Sequence, residues 1–77
     1  MRKYEIRRNG LTYYEASTLE EAQDAMNKVA AFVLFIYKRR HHVNEDDIQV
    51  GVSDKFYNIA TDDGKYYDHI EIIPVTK

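Results

Sequence analysis

Two adjacent histidines and a run of acidic residues are the first candidates for metal binding or catalysis. His41 and His42 are neighbours, and Glu45, Asp46 and Asp47 follow shortly after them. A zinc site needs three or four ligands that converge at about 2 Å, and adjacent side chains at the end of a helix diverge. The pattern is more typical of a polar helix terminus, where histidines meet the carbonyl end of the helix dipole. The sequence therefore predicts no metal site here.

Catalytic motifs are missing from the rest of the chain. Asp62, Asp63 and Gly64 are typical of a hairpin turn and lack the ligand spacing of an EF-hand loop. There is no cysteine, and the three glycines lie too far apart to form a phosphate-binding loop. General acid–base catalysis also needs a cleft that shifts pKa values, which a chain of 77 residues rarely builds. We expect no catalytic residue and no cofactor, and hence a protein that is not an enzyme.

Clustered basic residues suggest nucleic-acid binding as an alternative function. Arg7 and Arg8 lie in the first predicted hairpin, and Lys38, Arg39 and Arg40 close the predicted helix. Cations at such positions hold phosphates, and tyrosines beside them can stack on bases. The chain nevertheless has 11 basic and 13 acidic residues, a net charge of −2, whereas a dedicated nucleic-acid-binding domain is usually basic. Nucleic-acid binding therefore remains the alternative.

Acidic charge is concentrated in the second half of the chain. Residues 1–40 hold 8 basic and 5 acidic side chains, whereas residues 41–71 hold 2 basic and 8 acidic ones. Spaced carboxylates steer basic partners and can imitate the phosphates of a nucleic acid. We therefore predict that Glu45, Asp46 and Asp47 contribute to partner binding, and mimicry of DNA remains open as a form of it.

Seven tyrosines and no tryptophan are a high aromatic load for this length. The predicted strand registers direct four of them to the core: Tyr4, Tyr13, Tyr57 and Tyr66. Three others have no clear core position: Tyr14, Tyr37 and Tyr67. Exposed tyrosine is favoured at protein interfaces, although tyrosine also simply favours strands. Tyr14 and Tyr67 are therefore candidate partner-binding residues.

One domain, residues 1–77, must position these side chains. Residues 3–15 alternate as a β-hairpin whose turn is Asn9 and Gly10, because both residues accept positive φ. A two-residue turn predicts that Ile6 lies opposite Tyr13 and Arg8 opposite Leu11. One face is then shared by Tyr4, Ile6, Leu11 and Tyr13, and the other by Arg7, Thr12 and Tyr14.

A single long helix is predicted from residue 18 to about residue 41. Ser17 or Thr18 can cap it, and Glu20 or Glu21 can complete a capping box. The helical spacing predicts this core stripe: Leu19, Ala22, Met26, Val29, Val33 and Ile36.

The second half of this helix is apolar on every side. Residues 29–37 carry no charge, and Phe32, Leu34 and Phe35 lie outside the core stripe. Nine residues are too few to cross a bilayer, so we expect no membrane span. Exposed together, these side chains form a patch that is large for a soluble monomer. We predict that they form a self-interface of a homodimer, with the chain's own C-terminal region or another protein as the alternative cover.

Residues 47–73 are predicted to form three strands. If Asp63 and Gly64 make the second hairpin turn, Ile59 lies opposite Asp68 and Tyr57 opposite Ile70. The element order is then ββαβββ. We predict an α+β fold of two layers, in which one long helix packs across an antiparallel sheet.

Three segments together resemble small phage-encoded proteins, including certain anti-CRISPR inhibitors. They are the opening strand of residues 3–6, the helix start of residues 17–22 and the closing hairpin of residues 57–67 around Asp63, Gly64 and Lys65. The resemblance implies a protein without a catalytic site that acts by occupying the surface of a partner protein. It also implies action in the cytoplasm of the host cell, which agrees with the absence of cysteine and of an apolar leader.

Overall fold

The computed structural model describes residues 2–76, and the side chains of residues 3–75. Five strands and one α-helix follow one another in the predicted ββαβββ order, which confirms the α+β fold class. The elements are β1 (Arg2–Arg8), β2 (Leu11–Ala16), α1 (Leu19–Arg39), β3 (Ile48–Val52), β4 (Phe56–Thr61) and β5 (Tyr67–Thr76). A short 3-10 helix, Glu45–Asp47, leads into β3.

All strand pairs are antiparallel, and the strand order in the sheet is β2-β1-β5-β4-β3. The central strand β5 joins the β1–β2 hairpin to the β3–β4 hairpin. Helix α1 packs on one face of the sheet, over β1, β2, β4 and β5. The other face carries no second layer within residues 2–76, so the sheet has one covered face and one open face.

Local capping fixes both ends of α1. The Thr18 hydroxyl accepts a hydrogen bond from the Glu21 N–H at 3.1 Å, and the Glu21 carboxylate accepts one from the Ser17 N–H at 3.3 Å. Thr18 and Glu21 are a predicted capping pair, but the Glu21 carboxylate binds the N–H of Ser17 instead of the N–H of the cap residue Thr18. The helix ends at Arg39, two residues before the predicted boundary, and His42 then adopts a positive φ of 53°.

Tyr37 replaces Ile36 as the core residue in the last turn of α1. The buried helix residues are Ala22, Met26, Val29, Ala30, Val33 and Tyr37. Tyr37 is only 1% exposed, whereas Ile36 is half-buried. The prediction that Tyr37 has no core position is therefore wrong, because a polar acceptor inside the fold binds its hydroxyl, as described below.

The predicted register of the first hairpin is correct at the turn and wrong beyond it. Arg8 pairs with Leu11 as predicted, but a β-bulge places Ile6 opposite Tyr14 instead of Tyr13. Without the bulge, Glu15 would lie opposite Tyr4 beneath the helix. With it, Ala16 takes that buried position and Glu15 turns to the open face. Burying an alanine instead of a carboxylate favours the bulge.

The second hairpin has the predicted register. Ile59 pairs with Asp68, and Tyr57 pairs with Ile70. The loop closes through a hydrogen bond from the Thr61 N–H to the Tyr66 carbonyl at 3.0 Å. This pairing places Asp68 on the helix side of the sheet, where the carboxylate is buried.

The buried carboxylate of Asp68 joins three elements. Its Oδ2 accepts a hydrogen bond from the Tyr37 hydroxyl of α1 at 2.6 Å. Its Oδ1 accepts one from Arg8 Nε of β1 at 2.7 Å and one from Asn9 Nδ2 of the turn at 3.0 Å. The three donors belong to α1, to β1 and to the turn that follows β1, so the network sets how the helix, the first hairpin and β5 meet.

The network around Asp68 changes the pKa of the Tyr37 hydroxyl. Burial raises the pKa of the Tyr37 hydroxyl well above its usual value, the hydrogen bond to Asp68 raises it further, and the positive charge of Arg8 opposes the change. For Arg8, burial lowers the pKa, but the hydrogen bonds to Asp68 and Tyr13 together with the electrostatic attraction of these groups give a net rise. In the native network the tyrosine is therefore neutral and the guanidinium of Arg8 is charged.

Removing Asp68 should destabilise the fold more than any exposed substitution. Asp68→Ala leaves Arg8 and Tyr37 without their common acceptor, and we expect a loss of about 3–5 kcal/mol in the free energy of unfolding. Tyr37→Phe removes one hydrogen bond to a charged acceptor and should cost about 1.5–3 kcal/mol. Urea denaturation measures both values, with the exposed Asp46→Asn as a control that changes by less than about 0.5 kcal/mol. Equal effects of Asp68→Ala and Asp46→Asn would contradict the assigned role.

Alkaline pH should destabilise the wild-type protein more steeply than Tyr37→Phe. Folding raises the pKa of Tyr37, so neutral Tyr37 stabilises the folded state. This stabilisation is complete at a pH below the pKa of tyrosine in the unfolded chain, about 10, and declines as the pH rises above that value. The free energy of unfolding of the wild type should fall with pH more steeply than that of Tyr37→Phe, by at most about 1.4 kcal/mol per pH unit. Urea denaturation between about pH 9.5 and about pH 11.5 measures it. The exposed Tyr67→Phe should follow the wild type; the same slope in all three proteins would refute the argument.

Candidate interaction surfaces

The side of α1 that faces away from the sheet carries two exposed phenylalanines. Phe32 is 52% exposed and Phe35 is 56% exposed, although both belong to the apolar half of the helix. The guanidinium of Arg39 lies 5.8 Å from the centroid of the Phe35 ring, one helical turn away. Lys28 precedes Phe32 by one turn and is also exposed. We call residues 24, 28, 31, 32, 35 and 39 the outer helix stripe.

Hydrogen bonds show which way α1 is rotated over the sheet. Gln23 Nε2 donates to the Asp54 carbonyl at 3.3 Å, and the Tyr57 hydroxyl donates to Asn27 Oδ1 at 2.7 Å. The flank of the helix with Gln23 and Asn27 therefore faces the β3–β4 hairpin. Leu34 follows Asn27 by two turns on the same flank and packs against the core. The structure thus separates Leu34 from Phe32 and Phe35, and only the two phenylalanines share an exposed surface.

Tyr14 lies at the other side of the sheet, on edge strand β2. Its pairing with Ile6 places it on the helix-side face, and its ring is about half exposed. Leu11, at the start of β2, is 68% exposed. Phe32 occupies the flank of α1 that is turned away from β3 and β4, so it lies on the β2 side. Phe32, Tyr14 and Leu11 are therefore exposed apolar side chains on the helix side of the molecule.

Charge along α1 changes sign from one end to the other. The acidic residues Glu20, Glu21 and Asp24 belong to the first two turns, and Lys38 and Arg39 belong to the last turn. The exposed phenylalanines lie between these groups. The outer surface of the helix thus has an acidic beginning, an apolar centre and a basic end.

The opposite edge of the molecule is acidic. Glu45, Asp46 and Asp47 are all exposed in the 3-10 helix before β3, and Glu45 Oε1 lies 3.4 Å from Lys38 Nζ. Asp47 also lines a cleft of about 430 Å³ together with Asp62 and Asp63 of the second hairpin loop. The predicted acidic partner-binding residues are therefore exposed together at this edge, far from Tyr14 on β2.

Two aromatic rings form a wall of this cleft. His41 stacks on Tyr66 with ring centroids 4.0 Å apart. Asp63 accepts hydrogen bonds from the Thr61 hydroxyl and the Lys65 N–H, which hold the pKa of its carboxyl below the usual value. Asp63 is thus a turn residue with local partners, as its sequence context predicted.

The open face of the sheet holds Tyr67 and His69 on β5. The Tyr67 hydroxyl donates to Asn58 Oδ1 at 3.2 Å. His69 contacts Asn58 Oδ1 through Nδ1, and its Nε2 lies 2.9 Å from Glu71 Oε2. Tyr67 is 59% exposed on the face opposite to that of Tyr14, and residues 45–47 precede β3, which is separated from β5 by β4. The predicted partner-binding residues therefore occupy three separate places.

The basic residues proposed for nucleic-acid binding do not converge. Arg7 points to the open face, where its Nη2 lies 2.7 Å from Glu5 Oε1. Arg8 points to the opposite face and binds Asp68. Lys38 pairs with Glu45, Arg39 lies over Phe35, and Arg40 is exposed beside them. Only the three residues of the helix end share a surface, and Glu45 neutralises part of it.

The histidines are also dispersed. His41 and His42 lie at the end of α1, and His69 lies on the open face of β5. Among the residues whose side chains the structure describes, no group of three or more histidine, aspartate or glutamate side chains could hold a metal ion. Within the same residues, no helix has the length and apolar character needed to cross a membrane.

Sequence reasoning missed two exposed valines on β3. Val50 and Val52 lie within residues 47–73, which are predicted to form three strands, but that prediction does not say which strand lies at an edge of the sheet. They are 44% and 60% exposed because β3 is the edge strand beyond the helix. The sequence shows only that this strand is short and uncharged, and these properties do not reveal its place in the sheet.

Comparisons with protein-family models, with characterised proteins and with solved structures find no match to this chain.

Proposed function

We propose that this protein is a non-enzymatic binding protein that acts by occupying the surface of a protein partner, and that it forms a homodimer through the outer face of α1. The single observation that carries the proposal is the outer helix stripe. It presents two half-exposed phenylalanines between an acidic and a basic end. Exposed aromatic side chains rimmed by charged residues are typical of a protein interaction site.

The outer helix stripe is palindromic, which favours a second copy of the chain as its cover. Its six residues are Asp24, Lys28, Ala31, Phe32, Phe35 and Arg39, with spacings that read the same in both directions. A two-fold axis between Ala31 and Phe32 places two antiparallel helices in register. Asp24 then faces Arg39 of the second copy, and Phe32 faces the small Ala31, which leaves room for the ring. The antiparallel arrangement also aligns the opposite ends of the helix dipoles.

The area of this surface indicates a weak dimer. Helix α1 has 21 residues, so its stripe is about 30 Å long and covers about 300 Å². A stable interface buries about 800 Å² on each partner. The apolar surface of Tyr14 and Leu11, on the same side of the sheet, extends the contact area towards that value. We therefore expect dimerisation at micromolar concentration instead of an obligate dimer.

Nucleic-acid binding has less support. Four of the five proposed cations contact a carboxylate or a ring within the chain, and Arg7 and Arg8 point to opposite faces of β1. A phosphate backbone would have to displace these partners. The resemblance to small phage-encoded inhibitors agrees better with a protein partner, and host cytoplasm is the compartment in which we propose that it acts.

Phe35→Lys should convert the dimer into a monomer. In the antiparallel pairing, residue 35 faces Lys28 of the second copy, so the substitution removes two buried rings and adds two repulsive pairs. Losing about 1.5 kcal/mol for each ring alone weakens the dimer by more than about 100-fold. Light scattering on a sizing column, over a dilution series from about 1 μM to about 1 mM, measures the mass against the 9.1 kDa monomer.

Val52→Lys is the matched control, because Val52 is equally exposed but lies on the far edge strand. It should leave the dimer mass unchanged. A wild-type protein that remains monomeric at the highest concentration, or a Phe35→Lys protein that remains dimeric, would show that the helices do not pair.

A charge exchange should test the register of the two helices. Asp24→Lys places a cation opposite Arg39 of the second copy at both symmetric positions, and Arg39→Glu places two carboxylates opposite each other. Each single variant should weaken dimerisation by about threefold to tenfold, and the double variant should recover most of the loss. Sedimentation equilibrium gives the dissociation constants of the wild type and of the three variants. Additive weakening in the double variant would exclude this antiparallel register.

A further inference from the structure

Strand β3 is an edge strand that lacks the usual protection against pairing with another chain. It lies at the end of the sheet and, among the strands of residues 2–76, pairs with β4 alone. Its sequence, Ile-Gln-Val-Gly-Val, contains no charge and no proline, and β3 has no bulge in its pairing with β4. The other edge strand, β2, carries a bulge and Glu15. Natural proteins usually blunt open edges with such features, so the bare edge of β3 is informative.

The backbone of β3 presents hydrogen-bonding groups away from the sheet. The Ser53 N–H donates to the Phe56 carbonyl, and the Asp62 N–H donates to the Asp47 carbonyl, both at 2.9 Å. Odd-numbered residues of β3 therefore make the bonds to β4 in the antiparallel ladder. The N–H and C=O groups of Val50 and Val52 consequently point away from β4.

The residues with outward N–H and C=O groups, Val50 and Val52, also carry exposed apolar side chains. Val50 and Val52 are about half exposed on the helix-side face, beyond the area that α1 covers. Gly51 points to the open face, where it adds no steric barrier. An added strand could thus form main-chain hydrogen bonds along β3 and place alternate apolar side chains against the two valines.

The charges around β3 select the occupant. Asp46 and Asp47 precede the strand, and Asp54 follows it. If a second copy paired antiparallel about Val50, Asp46 of each chain would face Asp54 of the other, and this repulsion disfavours self-pairing. The nearby cations are directed elsewhere: Lys38 pairs with Glu45, Lys65 lies 6.0 Å from the Tyr66 ring centroid, and Lys55 lines a cleft beside Tyr4 and Leu19.

We propose that β3 is a strand-addition site for an extended segment of a partner protein, with alternating apolar residues flanked on both sides by lysine or arginine. This inference rests on the proposed role in protein binding, because it assigns the chemistry of the partner, but it does not depend on pairing of the helices. The backbone edge supplies the affinity, and the flanking aspartates supply the preference for a basic segment.

A nine-residue peptide, KKVTVTVKK, is a direct probe. Titration into the isotope-labelled protein should shift the amide signals of residues 47–54 and protect the N–H groups of Val50 and Val52 from hydrogen exchange. The acidic peptide EEVTVTVEE should bind about tenfold more weakly or worse, and added salt should reduce this difference. The peptide KKVTPTVKK lacks a central N–H donor and should also bind more weakly.

Two sets of variants separate the contribution of backbone hydrogen bonds to peptide binding from the contribution of the flanking charges. Val50→Pro removes an outward N–H without removing a bond to β4, and should weaken peptide binding by about fivefold or more, whereas Val50→Thr retains the N–H and should change it little. The variant with both Asp46→Lys and Asp54→Lys should prefer the acidic peptide. The dispersion of the remaining amide signals shows that each variant is folded.

Several results would overturn the proposal. These are signal shifts outside residues 47–54, equal binding of the basic and acidic peptides, or equal binding by Val50→Pro and Val50→Thr. Self-association that is lost in Val50→Pro but kept in Phe35→Lys would show that a second copy occupies the edge instead. The Phe35→Lys protein should bind the basic peptide like the wild type, so failure of helix pairing and failure of strand addition give different results.

Discussion

The buried carboxylate of Asp68 is the interaction on which the arrangement of the elements depends. Tyr37 of α1, Arg8 of β1 and Asn9 of the first turn all donate to it, while β5 carries it in the centre of the sheet. Apolar packing alone would allow α1 to slide or rotate over the isoleucines beneath it. A charged acceptor with directional donors permits one arrangement, because each alternative leaves a polar group buried without a partner.

This constraint also determines which side chains face outward. Since Tyr37 must reach Asp68, the buried side of the helix is rotated so that Leu34 lies on the flank towards β4. Phe32 and Phe35 consequently remain on the outer side. The exposed surface of α1 is therefore a consequence of a polar contact inside the core. The rotation of α1 about its axis thus links the buried contact of Tyr37 with Asp68 to the exposure of Phe32 and Phe35.

Features that depend on local chemistry could be predicted from the sequence. The turn residues Asn9, Gly10 and Gly64 accept positive φ, and the helix start follows from the hydroxyl of Thr18. The bulge in the first hairpin could not be predicted, because it depends on which of Glu15 or Ala16 lies beneath a helix whose position is set by distant residues. Tyr37 was missed for the same reason, since its acceptor lies 31 residues later.

The candidate surfaces were predictable only in part. Phe32 and Phe35 stood out because they break the periodicity of an amphipathic helix, and exposure of residues 45–47 followed from their charge. The exposure of Val50 and Val52 required the strand order, which alternation along one strand does not contain. Tyr14 and Tyr67 were both identified as interface candidates, yet the sheet separates them, because a one-residue bulge moves Tyr14 to the opposite face from the one predicted.

The central position of β5 has a consequence for how the chain folds. The strand comes last in the described sequence, yet it lies between β1 and β4 and pairs with residues as many as 74 positions earlier. Until β5 is added, the two hairpins have no common ladder and the helix has no continuous surface to cover. Loop closure over such a span must precede most of the stabilising contacts, which makes folding slow for the chain length and strongly cooperative. A nascent chain would hold its hairpins apart until this final strand joined them.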